Sequence, residues 1–575
     1  MNFFQKIRFI LTKENSSKLT IFFILMLMTV FFETLGIALV LPAITFIIDS
    51  DLNTNSENIN QILSFFNENF ERVYLIKAVF ILIFITFVLK NIILFLFLWW
   101  NKNFVEYIYR NICMRLLQSE LQKSYLDYIS SSSALTVRNF NEVKAFLKYL
   151  ENFIILLVEG IILILLISLL LTVEYKVTLI VFGIVIFLVM IFRMITKKLI
   201  RNYGKERFFR SGEMMKSLLE ILDNYKNIKI FNKDIFFIDK FKKNNFIYSN
   251  VNKKFQVIDN SPRFWLEIAG VTGLCGMVFF LLYFDYSPQS IVPILGMFSV
   301  AFFRIIPSVL RIVRSAQTIN FSDPVMDQLL ISLKNSKKYV QQKDFESMQF
   351  NEKIEFKNLS FNYPNKPSKI FDDLYLTIKK GEKIGIIGRT GAGKSTLIDI
   401  LLGFLKPNKG DVLVDNKEIK QNLQGWRELI GYIPQKINVI NGTIKENILF
   451  GSDKFDDKDF KKRLDNSIII SDFDEVVKGL KDGLETIVGD KGLDLSGGQI
   501  QRLAFARALF RNPEILILDE STNALDQKTE RKIIKNLLEF ETTKTIIMIS
   551  HNLETLKFCD YKYELRDFSL NKINE

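Results

Sequence analysis

Cysteine is nearly absent: Cys113, Cys275 and Cys559 are the only three in 575 residues, far apart and without metal-ligand spacing. That scarcity argues against a disulfide framework and against a zinc site, and the thiols read as reduced and structural. Histidine is scarcer still, with His551 alone. Charge of one sign does not dominate either, since 75 basic residues face 62 acidic ones for a net +13. Such an excess suits a nucleic acid or an anionic membrane surface, and its distribution has to decide between them. What is abundant is apolar: 49% hydrophobic residues and 54 Phe, beside 24% charged residues. Apolar and charged stretches must therefore be segregated along the chain, as in a membrane protein with soluble mass attached. The length implies two or more structural units.

Apolar stretches at 19–48, 73–100, 153–173, 177–195, 264–284 and 291–309 each reach the roughly 20 residues that cross a bilayer. Lys6, Arg8, Lys13 and Lys18 precede the first, which is too long for a signal-peptide core and reads as an uncleaved span. Basic residues also crowd the segments between the second and third spans and between the fourth and fifth, for example Lys197, Lys198, Arg201, Lys205, Arg207 and Arg210. Of the opposite segments, 49–71 is acidic, 174–176 is a tight turn and 285–289 carries no Lys or Arg, so both termini are expected inside. Topology then accounts for much of the positive charge, and a nucleic-acid partner loses its support.

The cytoplasmic segments at 104–126 and 212–231 keep helical patterning, so the spans are expected to continue beyond the membrane. Ile59, Ile62, Leu63, Phe66 and Phe70 recur at helical spacing and predict a short amphipathic helix over 59–70 at the outer interface, with a loop packed on the spans as the alternative. The expected domains are a transmembrane domain over 1–325, a linker over 326–349, polar and basic from Asn335 to Asp344, and a soluble α/β domain over 350–575.

In the soluble part, a strand-like stretch runs into Gly388, Arg389, Thr390, Gly391, Ala392, Gly393, Lys394 and Ser395, and a helical stretch starts at Thr396. This is the phosphate-binding loop pattern. Glycines let successive N–H groups turn toward phosphate oxygens, Lys394 reaches the β and γ phosphates, and Ser395 can ligate Mg²⁺. Further on, an apolar strand over 515–518 ends in Asp519 and Glu520. Asp519 is expected to hold Mg²⁺ and Glu520 to polarise the attacking water as general base.

Between these lie Leu495, Ser496, Gly497, Gly498 and Gln499. Here the chain resembles the ABC ATPase family, whose signature reads LSGGQ. The resemblance implies ATP and Mg²⁺ as cofactors and a homodimer, in which Ser496, Gly497, Gly498 and Gln499 cap the γ-phosphate held by the opposite subunit. It further implies adenine stacking by Tyr363, Mg²⁺ sensing by Gln435, a nucleotide-site role for Asp526 and a γ-phosphate switch role for His551. Thr486, Ile487, Val488, Gly489 and Asp490 resemble a segment of the exporter branch that contacts intracellular helices. Asn523, Asn552 and a tail without the usual Gly turn after Asp560 depart from the family pattern, away from the phosphate chemistry. The fold class so implied is an all-α six-helix transmembrane bundle fused to an α/β P-loop ABC nucleotide-binding domain, the type IV exporter architecture.

Within that family the membrane half looks most like PglK-type flippases of lipid-linked oligosaccharides, which act in the bacterial inner membrane. The resemblance rests on Phe32, Glu33 and Thr34, on Leu39, Val40, Leu41 and Pro42, on Pro262, Arg263, Leu266 and Glu267, and on Arg304, Pro307 and Arg311. Lys90, Arg263, Arg304 and Arg311 lie in or at the ends of apolar spans, where an unpaired charge is costly. They read either as a cationic cavity for a pyrophosphate headgroup or as partners of Glu33, Glu159 or Glu267. Another cargo (phospholipid, lipopolysaccharide precursor, drug or peptide) is the alternative, and a non-transporting ATP-gated regulator a remoter one. No Cys or His precedes the first span, so an N-terminal cysteine peptidase is not expected.

Overall fold

The computed structural model describes residues 16–39, 72–173, 175–283, 288–334, 346–364, 368–452, 459–489, 492–521, 525–540, 542–551 and 553–573. The expected outer helix at 59–70 lies outside them. The chain divides into two compact units, Met1–Lys123 with Asp127–Tyr339, and Ser124–Leu126 with Val340–Glu575.

The first unit is helical, in long pieces: α1 Ser16–Ala38, α2 Arg72–Leu121, α3 Ser133–Val173, α4 Tyr175–Asp223, α5 Asp234–Asn260, α6 Pro262–Tyr283 and α7 Pro288–Lys334. Helix is what such sequences must form in hydrocarbon, because it satisfies every backbone N–H and C=O within the segment. The 50 residues of α2 extend about 75 Å at the helical rise, more than twice the apolar thickness of a bilayer, so this helix continues beyond the membrane as its patterning implies.

Among the described residues, four helical segments are long and apolar enough to cross a membrane: Phe80–Leu121, Ser133–Thr172, Thr178–Asp223 and Asp234–Tyr283. A shorter apolar helix covers Thr20–Gly36. The expected first span runs on over 40–48, outside the described residues, and the expected sixth falls on α7.

Stripes at helical spacing hold the unit together. Phe22, Met26 and Val30 of α1 and Ile154, Val158, Ile162, Leu166 and Leu170 of α3 repeat every four residues, and they pack with Phe298, Phe302, Ile305 and Val309 of α7. This is the row that interdigitates in ridge-into-groove packing. A second cluster joins Ile108, Ile112 and Leu116 of α2 to Phe146 and Leu150 of α3 and to Met326, Leu329, Leu330 and Leu333 of α7. The linker expected from residue 326 therefore begins later: 326–334 is helix with its apolar side buried, and the polar stretch after it lies outside the described residues. At Gly204 of α4 a Cβ would collide with the Phe321 carbonyl of α7, so a side chain there would push the two backbones apart.

The second unit contains two principal sheets. Strands β1 Lys353–Phe361, β2 Phe371–Lys379, β4 Lys409–Val414 and β5 Lys417–Glu418 form an antiparallel sheet in the order β2-β1-β4-β5. The other sheet runs β12-β11-β3-β10-β9-β6, built from β3 Lys383–Gly388, β6 Ile430–Ile433, β9 Ile515–Asp519, β10 Thr545–Ile549, β11 Tyr561–Arg566 and β12 Ser569–Lys572. A two-residue ladder joins β7 Gly442–Thr443 to β8 Ile487–Val488. In the six-stranded sheet β11, β3, β10, β9 and β6 are parallel. Parallel strands covered on both faces read as unbroken apolar runs, and β9 and β10 are buried at every residue.

Candidate active site

Parallel strands direct their carboxyl ends to one edge of a sheet, which is where α/β folds place ligands. Four strands deliver chemistry there. After β3 come the glycine-rich loop and the helix Lys394–Leu401; after β6 comes Gln435, after β9 Glu520, and after β10 His551.

The loop geometry follows from its glycines. Gly391 and Gly393 have φ of 84° and 107°, a region that side-chain-bearing residues avoid. Gly393 also caps the helix without any side-chain bond, so first-turn N–H groups are left for an anion. Arg389, Thr390, Gly391 and Ser395 are exposed, whereas Lys394 and Thr396 are buried. Lys394 Nζ donates to Gly388 O at 2.7 Å and lies 3.2 Å from His551 Nε2 and 3.9 Å from Glu520 Oε1. Burial pushes the Lys394 pKa down, and the charges of Glu520 and Asp519 pull it back up.

Glu520 is the hub. Its Oε1 stands 2.8 Å from His551 Nε2, and its Oε2 accepts from Gln435 Nε2 at 2.7 Å. Its backbone sits at φ 48°, just past the end of β9. Next to it, Asp519 is buried and accepts from the Tyr432 hydroxyl at 3.3 Å. Burial raises the Asp519 pKa, the Tyr432 bond opposes that shift, and the Glu520 charge adds to it. Asp399, on the Lys394–Leu401 helix, is pushed up to about 6 by burial and by the Asp519 charge.

The remaining sequence-predicted residues fall in three places. The Tyr363 hydroxyl is 3.2 Å from Thr396 Oγ1, beside the first turn of the phosphate-loop helix. Ser496 starts a different helix, Gly497–Phe510, through a capping box: Gln499 N–H donates to Ser496 Oγ at 3.3 Å and Ser496 N–H to Gln499 Oε1 at 2.9 Å. No bond from Ser496, Gly497, Gly498 or Gln499 to the Lys394, Glu520 and His551 group is among the described contacts. Asp526 accepts from the Thr529 N–H and hydroxyl at 2.9 and 2.7 Å, bonds that hold its carboxyl below the usual range. Tyr432 and Asp399 were not anticipated from the sequence; the only available signal was their nearness along the chain to Gln435 and Lys394.

In the membrane unit the four expected cations are all paired, and only three come together. Lys90 Nζ lies 3.1 Å and Arg304 Nε 2.6 Å from Glu33 Oε1; Arg304 Nη2 lies 3.4 Å from Glu159 Oε2, and Arg311 Nε donates to Glu159 Oε1 at 2.6 Å. Ser308 links the same groups, accepting from Arg304 Nη1 at 2.9 Å and donating to Glu159 Oε2 at 2.8 Å. Glu33 and Glu159 are only 6% and 8% exposed. Arg263 stands apart on an exposed helix face and donates to Glu267 at 2.8 Å. Of the two readings, pairing is what the structure shows: a ladder of three cations on two buried carboxylates, with Arg311 partly open to solvent, in place of one cavity lined by four free cations. The reason is that buried charges must be compensated locally.

Residues 371–523 match the family model described as ABC transporter, and residues 54–306 match the ABC transporter transmembrane region. The chain belongs to the ABC transporter family, with the membrane region first and the ATP-binding region second. It is 42% identical over 211 residues to a Rickettsia felis protein named as an export ATP-binding/permease protein, covering 36% of each chain. Over 211 residues it is also 42% identical to a Bacillus subtilis protein named as a multidrug resistance ABC transporter ATP-binding/permease protein, covering 36% of this chain and 35% of that one. The matched part thus spans about a third of the length of these curated relatives. A solved bacterial Atm1-family ABC exporter with ATP bound shares the fold, with a TM-score of 0.75, 19% identity and coverage of 97% of this chain and 95% of that one.

Proposed function

We propose that the chain is an ATP-hydrolysing exporter subunit that works as a homodimer, with six membrane spans and with both termini and the ATPase domain on the cytoplasmic side of a bacterial inner membrane. The observation that carries this reading is the meeting of Lys394, Glu520, His551 and Gln435 at one sheet edge, while Ser496 caps a separate helix. One chain supplies the base and the phosphate loop, and the signature segment of a second copy completes the pocket. Glu520 takes the proton of the attacking water, His551 and Gln435 hold its carboxylate in place, and Lys394 counters phosphate charge. Tyr363 stacks on the adenine, and Asp526 serves the nucleotide site through the turn it holds with Thr529.

The donor set fits Mg²⁺. Asp519, Ser395 and Gln435 offer only oxygens to a cation, as a hard ion prefers. Among the described residues no cluster of three His, Cys, Asp or Glu could hold a metal, in keeping with an ion that arrives largely coordinated by phosphates. When bound, Mg²⁺ neutralises charge on the transferring phosphate.

The cargo we favour is a lipid-linked oligosaccharide bearing a pyrophosphate, moved to the outer leaflet. Its support is the ladder of Lys90, Arg304 and Arg311 against Glu33 and Glu159, which carries one more cation than carboxylate and presents Arg311 partly exposed to an anionic headgroup. Arg263, at the start of α6, would contact the headgroup at the membrane surface. The names of the relatives support a second reading, export of another lipid, a drug or a peptide.

Both levels can be tested in proteoliposomes. Glu520→Gln is expected to bind ATP and to lose turnover, and unchanged hydrolysis would remove the assigned base. For the cargo, transbilayer movement of a labelled lipid-linked oligosaccharide per ATP hydrolysed should collapse in the Arg304→Gln, Arg311→Gln double variant. Full movement in that variant would refute the headgroup reading.

A further inference from the structure

Strand β6 ends with two side chains aimed at the two carboxylates that close β9. The strands are paired in parallel, Tyr432 opposite Ile517 and Ile433 opposite Leu518. From that register the Tyr432 hydroxyl reaches Asp519 Oδ2 at 3.3 Å and, three residues on, the Gln435 amide reaches Glu520 Oε2 at 2.7 Å. One strand end therefore supplies a donor to each carboxylate.

The two carboxylates differ in what else holds them. Glu520 has His551 and Lys394 nearby. Asp519 is buried, and Tyr432 makes the one side-chain hydrogen bond described for it. A second carboxylate, Asp399, stands near enough for the Asp519 charge to act on it. Without the phenol, Oδ2 of Asp519 would lose the one side-chain donor described for it, and the orientation of the carboxylate would be free to relax.

We propose that Tyr432 is a positioning residue that holds Asp519 in the orientation needed for the divalent cation accompanying ATP, and that β6 thereby sets the metal-side carboxylate and the general base together. This rests on the assignment of Asp519 to the metal made above. Tyr432 touches neither the nucleotide nor the reacting atoms; it acts through Asp519.

The test uses the full-length protein loaded with a non-hydrolysable ATP analogue and titrated with Mn²⁺, followed by electron paramagnetic resonance. Tyr432→Phe keeps the ring and removes only the hydroxyl, and a melting curve checks that it folds. The expected result is Mn²⁺ affinity about five- to tenfold weaker, the size of one ordinary hydrogen bond lost, as suits a 3.3 Å contact. The Mg²⁺ concentration for half-maximal hydrolysis should rise by a similar factor, with a much smaller change in kcat at saturating Mg²⁺. Asp519→Asn is run in parallel. If it weakens Mn²⁺ binding while Tyr432→Phe does not, the positioning role is overturned and the metal assignment stands. If Asp519→Asn leaves Mn²⁺ binding unchanged, the metal assignment falls and the role of Tyr432 falls with it.

Discussion

The single histidine of the chain, His551, places its Nε2 2.8 Å from Oε1 of Glu520, although the two residues come from neighbouring strand ends, after β10 and β9. A half-exposed imidazole beside a more deeply buried carboxylate fixes where that carboxylate points. His551→Ala should therefore lower kcat by about 10²-fold or more, the usual scale for a displaced acid–base group, while ATP affinity changes little. Single-turnover hydrolysis in the purified protein checks it.

The separation of the signature segment from the base can be tested with mixed dimers. Ser496→Ala and Glu520→Gln placed on opposite subunits impair the same composite pocket and leave the other intact; placed on one subunit, they impair both. Hydrolysis should therefore differ between the two arrangements, being higher when the mutations are on opposite chains. The reverse order, with hydrolysis higher when both mutations sit on one chain, would show that each chain hydrolyses ATP alone.

Glu159 holds both Arg304 and Arg311. Glu159→Gln removes the buried carboxylate that Arg304 and Arg311 share, but Arg304 keeps Glu33 and Arg311 is partly open to solvent, so the cost should be about 1–3 kcal/mol. A marked drop in melting temperature is expected, partly reversed by adding Arg311→Gln. Additive losses in the double variant would argue against coupling through the ladder.

Asp399 makes stability depend on pH. Its carboxyl is raised in the folded protein to about 6 from an ordinary value of 3.8, so the proton is bound more tightly when folded. The stability that this proton confers is full below about pH 4 and is lost as pH rises to about 6. Asp399→Asn should therefore match the native protein near pH 4 and be more stable above pH 6. The difference is roughly 1–2 kcal/mol once solvent screening of this partly exposed group is allowed for. Melting temperatures across that range measure it.

Much of the site was legible because its parts are contiguous. The phosphate loop from Gly388 to Ser395 carries its own backbone requirements, and the signature at Ser496 carries its own helix cap, so local residues suffice to recognise them. The strand before Asp519 was equally plain, since a strand buried on both faces leaves an unbroken apolar run. The linker bound at 326 was set too early: Met326, Leu329 and Leu333 keep the apolar spacing of a helix, and the turn to polar and basic residues comes only at Asn335.

Composition and spacing by themselves determined a membrane unit followed by a nucleotide-binding unit, and the residue types that handle phosphate, because hydrocarbon and phosphate each impose local rules on a chain. Pairing was decided only in three dimensions. Tyr432 meets Asp519 across 87 positions, and Glu33, Glu159, Lys90, Arg304 and Arg311 come together from four helices. A charge or hydroxyl finds its partner by the register of strands and the packing of helices, which no single segment encodes.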